Sequence, residues 1–288
     1  MIVSCGHTAY DNIFRLKVLP ELNGSCVVDQ FGRHFGGGGA NVAVALAKLG
    51  LKVKLFSTAG EDFTGSEYEK SLIKSKVDIE HVTIADEKTA ESWMYFDEMQ
   101  RYKCFFYWGA SRFLQYFKVP TDIRKHDFFF NALDPQFVRA NIGLVKGKVA
   151  FDPSYDIYLY TKEDFAKILP RVDYLFLNEH EYPIVMKNSG LTKNKILRKV
   201  GTMVVSKGSA GCEVHTESHV RMVPTPPVDV VDTVGAGDAH RAGFMAGIEK
   251  GYSEVEAAKI GNFVASFSIQ EFGAQARLPT WEEVEKLL

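Results

Sequence analysis

Short apolar segments alternate with helix-compatible stretches along most of the chain, and this alternation limits the fold more than any other feature. The clearest segments are Phe128–Phe130, Val149–Phe151, Tyr174–Leu177 and Met203–Ser206. Runs of this length without a polar face are typical of buried parallel strands, whose crossover connections carry helices. The pattern therefore predicts an α/β protein with a central, mostly parallel sheet and helices on both faces, a three-layer αβα arrangement.

The amino-terminal region contributes a further unit of the same kind. Met1–Cys5 reads as a buried first strand, and Val53–Ser57 as a neighbouring one. Between them, Gly36–Gly39 precedes an Ala/Leu-rich helix over Ala40–Leu49, which Gly50 ends. This order of strand, glycine-rich turn, helix and strand extends the predicted sheet.

An additional β element is expected outside the main sheet. Ile13–Val18 and Cys26–Phe35 have strand-like patterns, and an aromatic hairpin runs from Ser92–Phe96 to Lys103–Trp108 around a turn at Asp97–Gln100. An isolated hairpin is barely stable in water, so these rings should pack on other strands or on a ligand. We predict a single domain over residues 1–288, with a small β lid formed by about 12–35 and 89–109.

Composition excludes several classes of partner. The 288 residues carry a net charge of −2 without a long basic run, which does not favour binding to nucleic acid or to an anionic membrane. Cys5, Cys26, Cys104 and Cys212 are widely separated, which argues against a zinc ribbon and a disulfide scaffold. No secretion signal is evident, and no apolar run approaches about 18 residues. A cytoplasmic location is expected.

The segment D-T-V-G-A-G-D at Asp232–Asp238 is the strongest functional signal. An apolar run, Val228–Val231, is expected to form a strand that leads into it, and a helix is expected to begin at about Asp238. Gly235 and Gly237 lack Cβ atoms, so an anion can approach the backbone N–H groups. Because the first N–H groups of a helix have no intrahelical partners, this turn predicts a site for phosphate.

Asp238 lies inside that predicted site. A carboxylate beside an anion cradle can accept the proton of an attacking hydroxyl, as phosphoryl transfer to an alcohol requires. The alternative is that Asp238 only caps the helix and the glycines only form a turn. His240 and Arg241, on the same helix, are interpreted as structural.

Four motifs resemble those of the ribokinase-like, or phosphofructokinase-B, family of carbohydrate and nucleoside kinases. The first is Asp232–Asp238, and the second is the glycine segment that ends in an asparagine, Gly36–Asn41. Asn178–Glu181 matches an N-x-x-E motif, and Lys207-Gly208 follows a strand as in the family. The motifs occur in family order across nearly the whole chain. The resemblance implies a ribokinase-like fold and phosphoryl transfer that depends on ATP and Mg²⁺.

The resemblance also implies roles for individual residues. Asp238 matches the catalytic base, and the backbone of Gly235, Ala236 and Gly237 matches the anion hole. The residues that match acceptor-binding positions are Asp11, Gly37, Gly38 and Asn41. Those expected to border the nucleotide are Lys207, Gly208, Asn178 and Asn262. Glu181 is expected near Mg²⁺ through water, and Asp232 at the position where some family members bind a monovalent ion such as K⁺.

A finer resemblance to archaeal nucleoside kinases is carried by Gly6–Asp11, Phe105–Ala110 and Leu278–Trp281. It implies that the acceptor is the ribose 5′-hydroxyl of a nucleoside. Trp93, Phe106 or Trp108 could then stack on the base, a contact of about 1–3 kcal/mol. The alternative is that the aromatic rings form the core of the lid or a homodimer interface through it.

Other functions remain open on the sequence. A sugar kinase of the same family, acting on ribose or another free sugar, fits the same motifs. A dinucleotide-binding oxidoreductase does not fit, because Gly36–Gly39 lacks the G-x-G-x-x-G spacing. A P-loop kinase is excluded by the missing G-x-x-x-x-G-K-[ST] motif. A non-catalytic sugar- or nucleoside-binding protein is the remaining alternative, and the intact Asp238 argues against it.

Overall fold

The computed structural model describes residues 1–99 and 101–288, so Gln100 of the expected Asp97–Gln100 turn lies outside the described residues. The strands are β1 Ile2–Cys5, β2 Ala9–Leu16, β3 Val28–Gly36, β4 Val53–Gly60, β5 Val82–Ala85, β6 Ala90–Phe96, β7 Tyr102–Tyr107, β8 Asp127–Asn131, β9 Val149–Asp152, β10 Tyr174–Asn178, β11 Thr202–Ser206, β12 Cys212–His215 and β13 Val220–Val223. The α-helices are α1 Gly38–Lys48, α2 Glu67–Lys74, α3 Pro135–Asn141, α4 Lys162–Ile168, α5 Glu181–Ser189, α6 Lys193–Leu197, α7 Ala236–Glu249, α8 Glu254–Ser268 and α9 Trp281–Glu285.

The main sheet has nine strands in the order β13-β12-β11-β10-β9-β8-β1-β4-β5. The neighbours from β5 to β11 pair in parallel, whereas β12 and β13 add antiparallel strands at one edge. The predicted parallel core is confirmed. Since the carboxyl ends of parallel strands share one edge, side chains that follow these strands converge there.

Two apolar cores lie on opposite faces of the main sheet. Phe129 points toward α1, α7 and α8, while Phe128 and Phe130 point toward α3, α4 and α5. Successive side chains of a strand alternate between faces, so a wholly apolar strand serves both cores. The expected three layers are confirmed, with every one of these phenylalanines fully buried.

A separate four-stranded sheet, called here the second sheet, has the order β3-β2-β6-β7. Its strands fall close to the predicted ranges 12–35 and 89–109, and β6 and β7 form the expected antiparallel hairpin. Asp11 on β2 pairs with Ser92 on β6, which pairs with Phe106 on β7. Paired residues share a face of the sheet, so these three side chains form one row.

The turn at Asp232–Asp238 is called here the anion turn, and the segment that leads into it differs from the prediction. Val228–Val231 is not a strand: Pro226 and Pro227 lack the N–H groups that a sheet ladder needs, and Val231 is half-exposed. The N–H groups of Val231 and Asp232 instead donate to Ile269 O at the end of α8. The following helix begins at Ala236, two residues before the predicted start.

Within the described part of the chain, no helix is long and apolar enough to cross a membrane.

Candidate active site

The turn at Gly235 carries backbone donors at the start of α7. Gly235 has φ +76°, a conformation that favours glycine, and an added Cβ would clash with Ala274. Ala236 N–H donates to Thr233 O at 3.2 Å. Among the described residues, no hydrogen bond uses the N–H of Gly235, Gly237 or Asp238. The turn is only partly buried, so these donors and the helix dipole are accessible to an anion.

Asp238 is held by two asparagines from distant parts of the fold. Asn41 Nδ2, on α1, donates to Oδ2 at 2.9 Å, and Asn131 Nδ2, at the end of β8, donates to Oδ1 at 3.0 Å. Burial raises the pKa of Asp238, while Arg241 and both asparagines oppose the rise. The carboxylate is thus oriented and has an increased affinity for a proton, two properties that suit a general base.

Arg241 is buried beside Asp238 and belongs to the site. Its Nε lies 2.6 Å from Asp152 Oδ2, at the end of β9. Asp152, Glu181 and Asp238 all raise the pKa of Arg241 against its burial, so the guanidinium stays charged. An added Cβ at Gly237 would clash with Arg241 Nη1, so the glycine lets the guanidinium lie close to the backbone of the turn. Arg241, interpreted from the sequence as structural, therefore lies within the candidate site.

Asp11, on β2 of the second sheet, is another buried carboxylate, and its charge interacts with that of Asp238. Its Oδ1 accepts a hydrogen bond of 2.6 Å from Ser92 Oγ. Burial raises the pKa of Asp11 to about 7; the Ser92 bond opposes the rise, and the charges of Asp238 and Asp232 add to it. A Cβ at Gly36 would clash with Asp11 Oδ2, so a glycine there leaves room for the carboxylate.

The amino terminus of α1 places the other predicted acceptor residues. Gly37 has φ +87°, and an added Cβ would lie 2.5 Å from His7 O, so glycine is required by both strain and space. At Gly38 a Cβ would crowd the Asn131 amide. Asn41 Oδ1 accepts a hydrogen bond of 2.8 Å from Gln275 Nε2, which orients its amide toward Asp238.

Phe106 belongs to an aromatic group with His7, Trp108 and Tyr155, called here the aromatic cluster. The centroid of Phe106 lies 5.2 Å from His7, 5.8 Å from Trp108 and 5.5 Å from Tyr155. A cavity of about 180 Å³ borders His7 and Trp108. Trp93 pairs with Phe105 and so points to the face of the second sheet opposite Phe106, which leaves Phe106 and Trp108 as the predicted candidates for stacking on a base.

The residues predicted at the nucleotide follow the ends of β10 and β11. Asn178 Oδ1 accepts hydrogen bonds from the N–H groups of His180 and Glu181, just before and at the start of α5. Glu181 Oε2 accepts Asn178 N–H at 2.8 Å, and in the described residues no hydrogen bond involves its Oε1. Lys207 and Gly208 lie in the turn after β11, where Gly208 has φ +56°.

The side chain of Asn262 forms its hydrogen bonds with the end of β13 rather than with the turns after β10 and β11. Its side chain is buried on α8, and Nδ2 donates to the carbonyls of Val223 and Pro224 at 2.9 and 3.1 Å. Both amide hydrogens are therefore used to hold the end of β13. The expectation that the region of Asn262 borders the nucleotide stays a prediction.

Asp232 is fully buried and surrounded by donors. Oδ1 accepts hydrogen bonds from Arg15 Nη2 at 2.9 Å and Val234 N–H at 3.2 Å, and Oδ2 accepts Gly273 N–H at 2.9 Å. A monovalent cation needs oxygen ligands and would be repelled by the guanidinium. These surroundings do not fit the expected monovalent ion at Asp232.

Sequence reasoning missed four residues of the site: Asn131, Asp152, Ser92 and Gln275. Asn131 and Asp152 each end an apolar strand that was recognised, and the rule that parallel strands deliver ligands at their carboxyl ends would have found them. No sequence motif marks Ser92 or Gln275. The pairing of β2 with β6 places Ser92 beside Asp11, and the path of the chain after α8 places Gln275 beside Asn41.

Comparisons with known proteins identify a family and relatives of this chain. The family model described as pfkB family carbohydrate kinase matches residues 1–281. A nucleoside kinase of Methanocaldococcus jannaschii is 32% identical over 294 residues, covering 100% of this chain and 96% of the relative. One from Methanothermobacter thermautotrophicus is 32% identical over 297 residues, covering 99% and 94%.

Solved structures show the same fold. The crystal structure of the M. jannaschii nucleoside kinase superposes with a TM-score of 0.92 at 32% identity, covering 99% of this chain and 96% of that one. A Burkholderia thailandensis nucleoside kinase in complex with inosine gives a TM-score of 0.90 at 23% identity, covering 100% and 97%. The family match spans nearly the whole sequence, and the chain belongs to the pfkB family of carbohydrate kinases.

Proposed function

We propose that this kinase transfers the terminal phosphoryl group of ATP to the ribose 5′-hydroxyl of a nucleoside. The observation that carries the proposal is the Asp238 carboxylate, oriented by Asn41 and Asn131 beside the unused N–H groups of the anion turn. The two relatives of 32% identity are both nucleoside kinases.

Asp238 acts as the base in this proposal. As the acceptor oxygen attacks, its proton passes to the carboxylate, and the bond between the terminal phosphorus and the bridging oxygen of ATP breaks. The N–H groups at Gly235 and Gly237 and the dipole of α7 stabilise the negative charge on the transferring group. The buried Arg241 lies next to Gly237 and adds a positive charge to the same region.

Asp11 and Asn41 bind the sugar. A carboxylate accepts hydrogen bonds from hydroxyls, and an amide both donates and accepts, so together they suit vicinal hydroxyl groups. Gly37 and Gly38 allow the backbone to approach the ligand closely. Phe106 shares the row of Asp11 and Ser92 and carries the aromatic cluster, which supports a base-bearing acceptor over a free sugar.

The nucleotide binds over the turns that follow β10 and β11 in this proposal. Lys207, Gly208 and Asn178 lie there. Mg²⁺ is proposed as cofactor, bound mainly by the phosphates of ATP. In residues 1–99 and 101–288, no group of three His, Cys, Asp or Glu side chains could hold a metal ion without the nucleotide. Glu181 fits contact through water, since its Oε1 makes no hydrogen bond to described residues. The ion would neutralise phosphate charge. A K⁺ cofactor is not proposed.

The second sheet is proposed both as a lid over the acceptor and as the interface of a homodimer. Its face opposite Asp11 carries packed aromatic rings: the centroid of Phe14 lies 4.6 Å from that of Tyr95 and 4.8 Å from that of Phe31. Phe31 and Phe105 are 56% and 60% exposed. Exposed aromatic groups of this kind mark association surfaces. We propose a single kinase domain over residues 1–288, acting in the cytoplasm.

A panel of acceptors tests the function. Nucleosides, ribose and other free sugars are incubated with ATP and Mg²⁺, and phosphorylated products are identified by mass. We expect 5′-phosphorylated nucleosides and at least about tenfold lower kcat/KM for free ribose, since it lacks the stacking contact. A preference for ribose would favour the sugar kinase. No transfer to any acceptor, with ligand binding retained, would indicate a binding protein.

A further inference from the structure

Arg15 links the second sheet to the anion turn. It lies on β2, and its guanidinium reaches Asp232 Oδ1 and Val231 O at 2.9 and 3.2 Å, 217 and 216 residues away in sequence. Its side chain is only 15% exposed, and that of Asp232 is 0% exposed. The ion pair therefore lies in surroundings where charges interact strongly.

Aromatic rings fix the position of this guanidinium. Arg15 Cζ lies 4.6 Å from the centroid of Phe96 on β6 and 5.3 Å from that of Phe272, after α8. Phe96 is buried. Cation–π contacts with rings from two different segments, together with the carboxylate, leave the arginine few alternative positions.

Asp232 in turn holds the two segments that shape the anion turn. One oxygen accepts Val234 N–H, just before Gly235, and the other accepts Gly273 N–H. Ala274, next to Gly273, packs so closely on Gly235 that a Cβ there would clash. Both hydrogen bonds require the carboxylate to stay in place, and a buried carboxylate requires a positive partner.

We propose that Arg15 is a positioning residue that supplies this positive charge from within the chain, so that the anion turn is ordered without a monovalent cation. Removal of the guanidinium opens a position between Asp232 and the carbonyl of Val231 that a small cation can enter. The residue acts through Asp232 and the turn, and not on the substrate. The kinetic part of this inference rests on the proposed function, whereas the binding part does not.

Heat denaturation without substrates tests the binding part. Wild type, Arg15→Ala and Arg15→Met are unfolded in KCl and in tetramethylammonium chloride of equal ionic strength. We expect the same Tm for wild type in both salts and a higher Tm in KCl for both variants, because an ion that binds only the folded state stabilises it. Arg33→Ala removes another arginine of the second sheet, one that pairs with Glu91 on the face opposite Asp11. Its Tm, like that of wild type, should be the same in both salts.

Turnover of ATP and a nucleoside in the same salts tests the kinetic part. Wild type should show kcat values within about twofold in the two salts, whereas Arg15→Ala should lose about tenfold or more and recover partly with K⁺ or added guanidinium. Arg15→Lys, which keeps the charge, should lose less. A wild-type enzyme that requires K⁺, or variants whose Tm and kcat are indifferent to the ion, would overturn the proposal. Failure of every acceptor would remove the proposed function and leave the Tm result interpretable.

Discussion

Asn131 Nδ2 lies 3.0 Å from Asp238 Oδ1, although 107 residues separate them in the chain. This contact joins the end of a central strand to the first turn of α7, and with Asn41 it gives both carboxylate oxygens a donor. A carboxylate with both oxygens fixed presents a defined lone pair to an incoming hydroxyl. The geometry of the proposed base is therefore set by elements from both halves of the chain.

Replacing Asp238 by Asn tests the base directly. We expect kcat to fall about 100-fold or more, because the amide cannot accept the proton, while the affinity for ATP stays within about threefold. Steady-state kinetics and calorimetric titration measure the two quantities. Comparable kcat in the variant would contradict the assignment.

Removing Asn131 should change the pH dependence of the reaction. Burial raises the pKa of Asp238, and the hydrogen bonds from Asn41 and Asn131 oppose that rise, so Asn131→Ala should raise the pKa further. The protonated base is inactive, and the acidic limb of the kcat profile should move to higher pH. Asn12→Ala, which loses bonds to Glu91 and to the carbonyl of Ser92 on the second sheet, is the control and should leave the limb in place.

Nucleoside affinity should fall as the pH drops through about 7. Asp11 has a pKa of about 7, and the ionised carboxylate is the form that accepts the hydroxyl hydrogens of the sugar. The free energy of unfolding depends on pH in the opposite direction. The folded protein favours the protonated Asp11, so the stability that this residue contributes is lost as the pH rises from about 4 to about 7. Titration of nucleoside binding across this range measures the first effect. Asp11→Asn should bind weakly at every pH, and an unchanged slope would exclude Asp11 as its origin.

Asn41→Ala should weaken nucleoside binding far more than ATP binding. The amide contacts both Asp238 and, by proposal, the sugar, and loss of a hydrogen bond to a charged group costs about 1.5–3 kcal/mol. Separate titrations with a nucleoside and with ATP give the two affinities. If neither changes, the acceptor pocket lies elsewhere.

A methyl group at Gly36 should impair acceptor binding, because the Asp11 carboxylate occupies the space beside this glycine. The added Cβ in Gly36→Ala clashes with Asp11 Oδ2 and displaces the carboxylate, so we expect the KM for the nucleoside to rise at least about tenfold. Gly143→Ala meets open space and serves as the control. Equal KM values in the two variants would show that Asp11 does not contact the acceptor.

The lid proposal makes a prediction about backbone amide exchange. If residues 89–109 close over the acceptor, their exchange should slow when a nucleoside is added, because closure restricts opening of the hairpin. Hydrogen–deuterium exchange with mass detection measures this peptide by peptide. Strand β13, at the far edge of the main sheet, should be unaffected. Unchanged exchange in the hairpin would remove the lid from the mechanism.

Apolar periodicity, glycine placement and motif order were enough to predict the parallel core, the second sheet and the anion turn. These features depend on local interactions: short apolar runs are buried, and the backbone conformations of Gly37 and Gly235 favour glycine. The same reasoning placed Val228–Val231 in a strand, because apolar content outweighed the prolines that precede it.

Partnerships between distant side chains were decided only by the tertiary structure. Sheet order brings Asn131 and Asp152 to the edge where α7 begins, and pairing of β2 with β6 brings Ser92 to Asp11. Trp93 and Phe106 point to opposite faces of the second sheet, because the register of β6 with β7 and the alternation of side chains along each strand decide their orientation. Arg15 meets Asp232 across 217 residues. No local pattern records such contacts, since they arise only when the elements have packed.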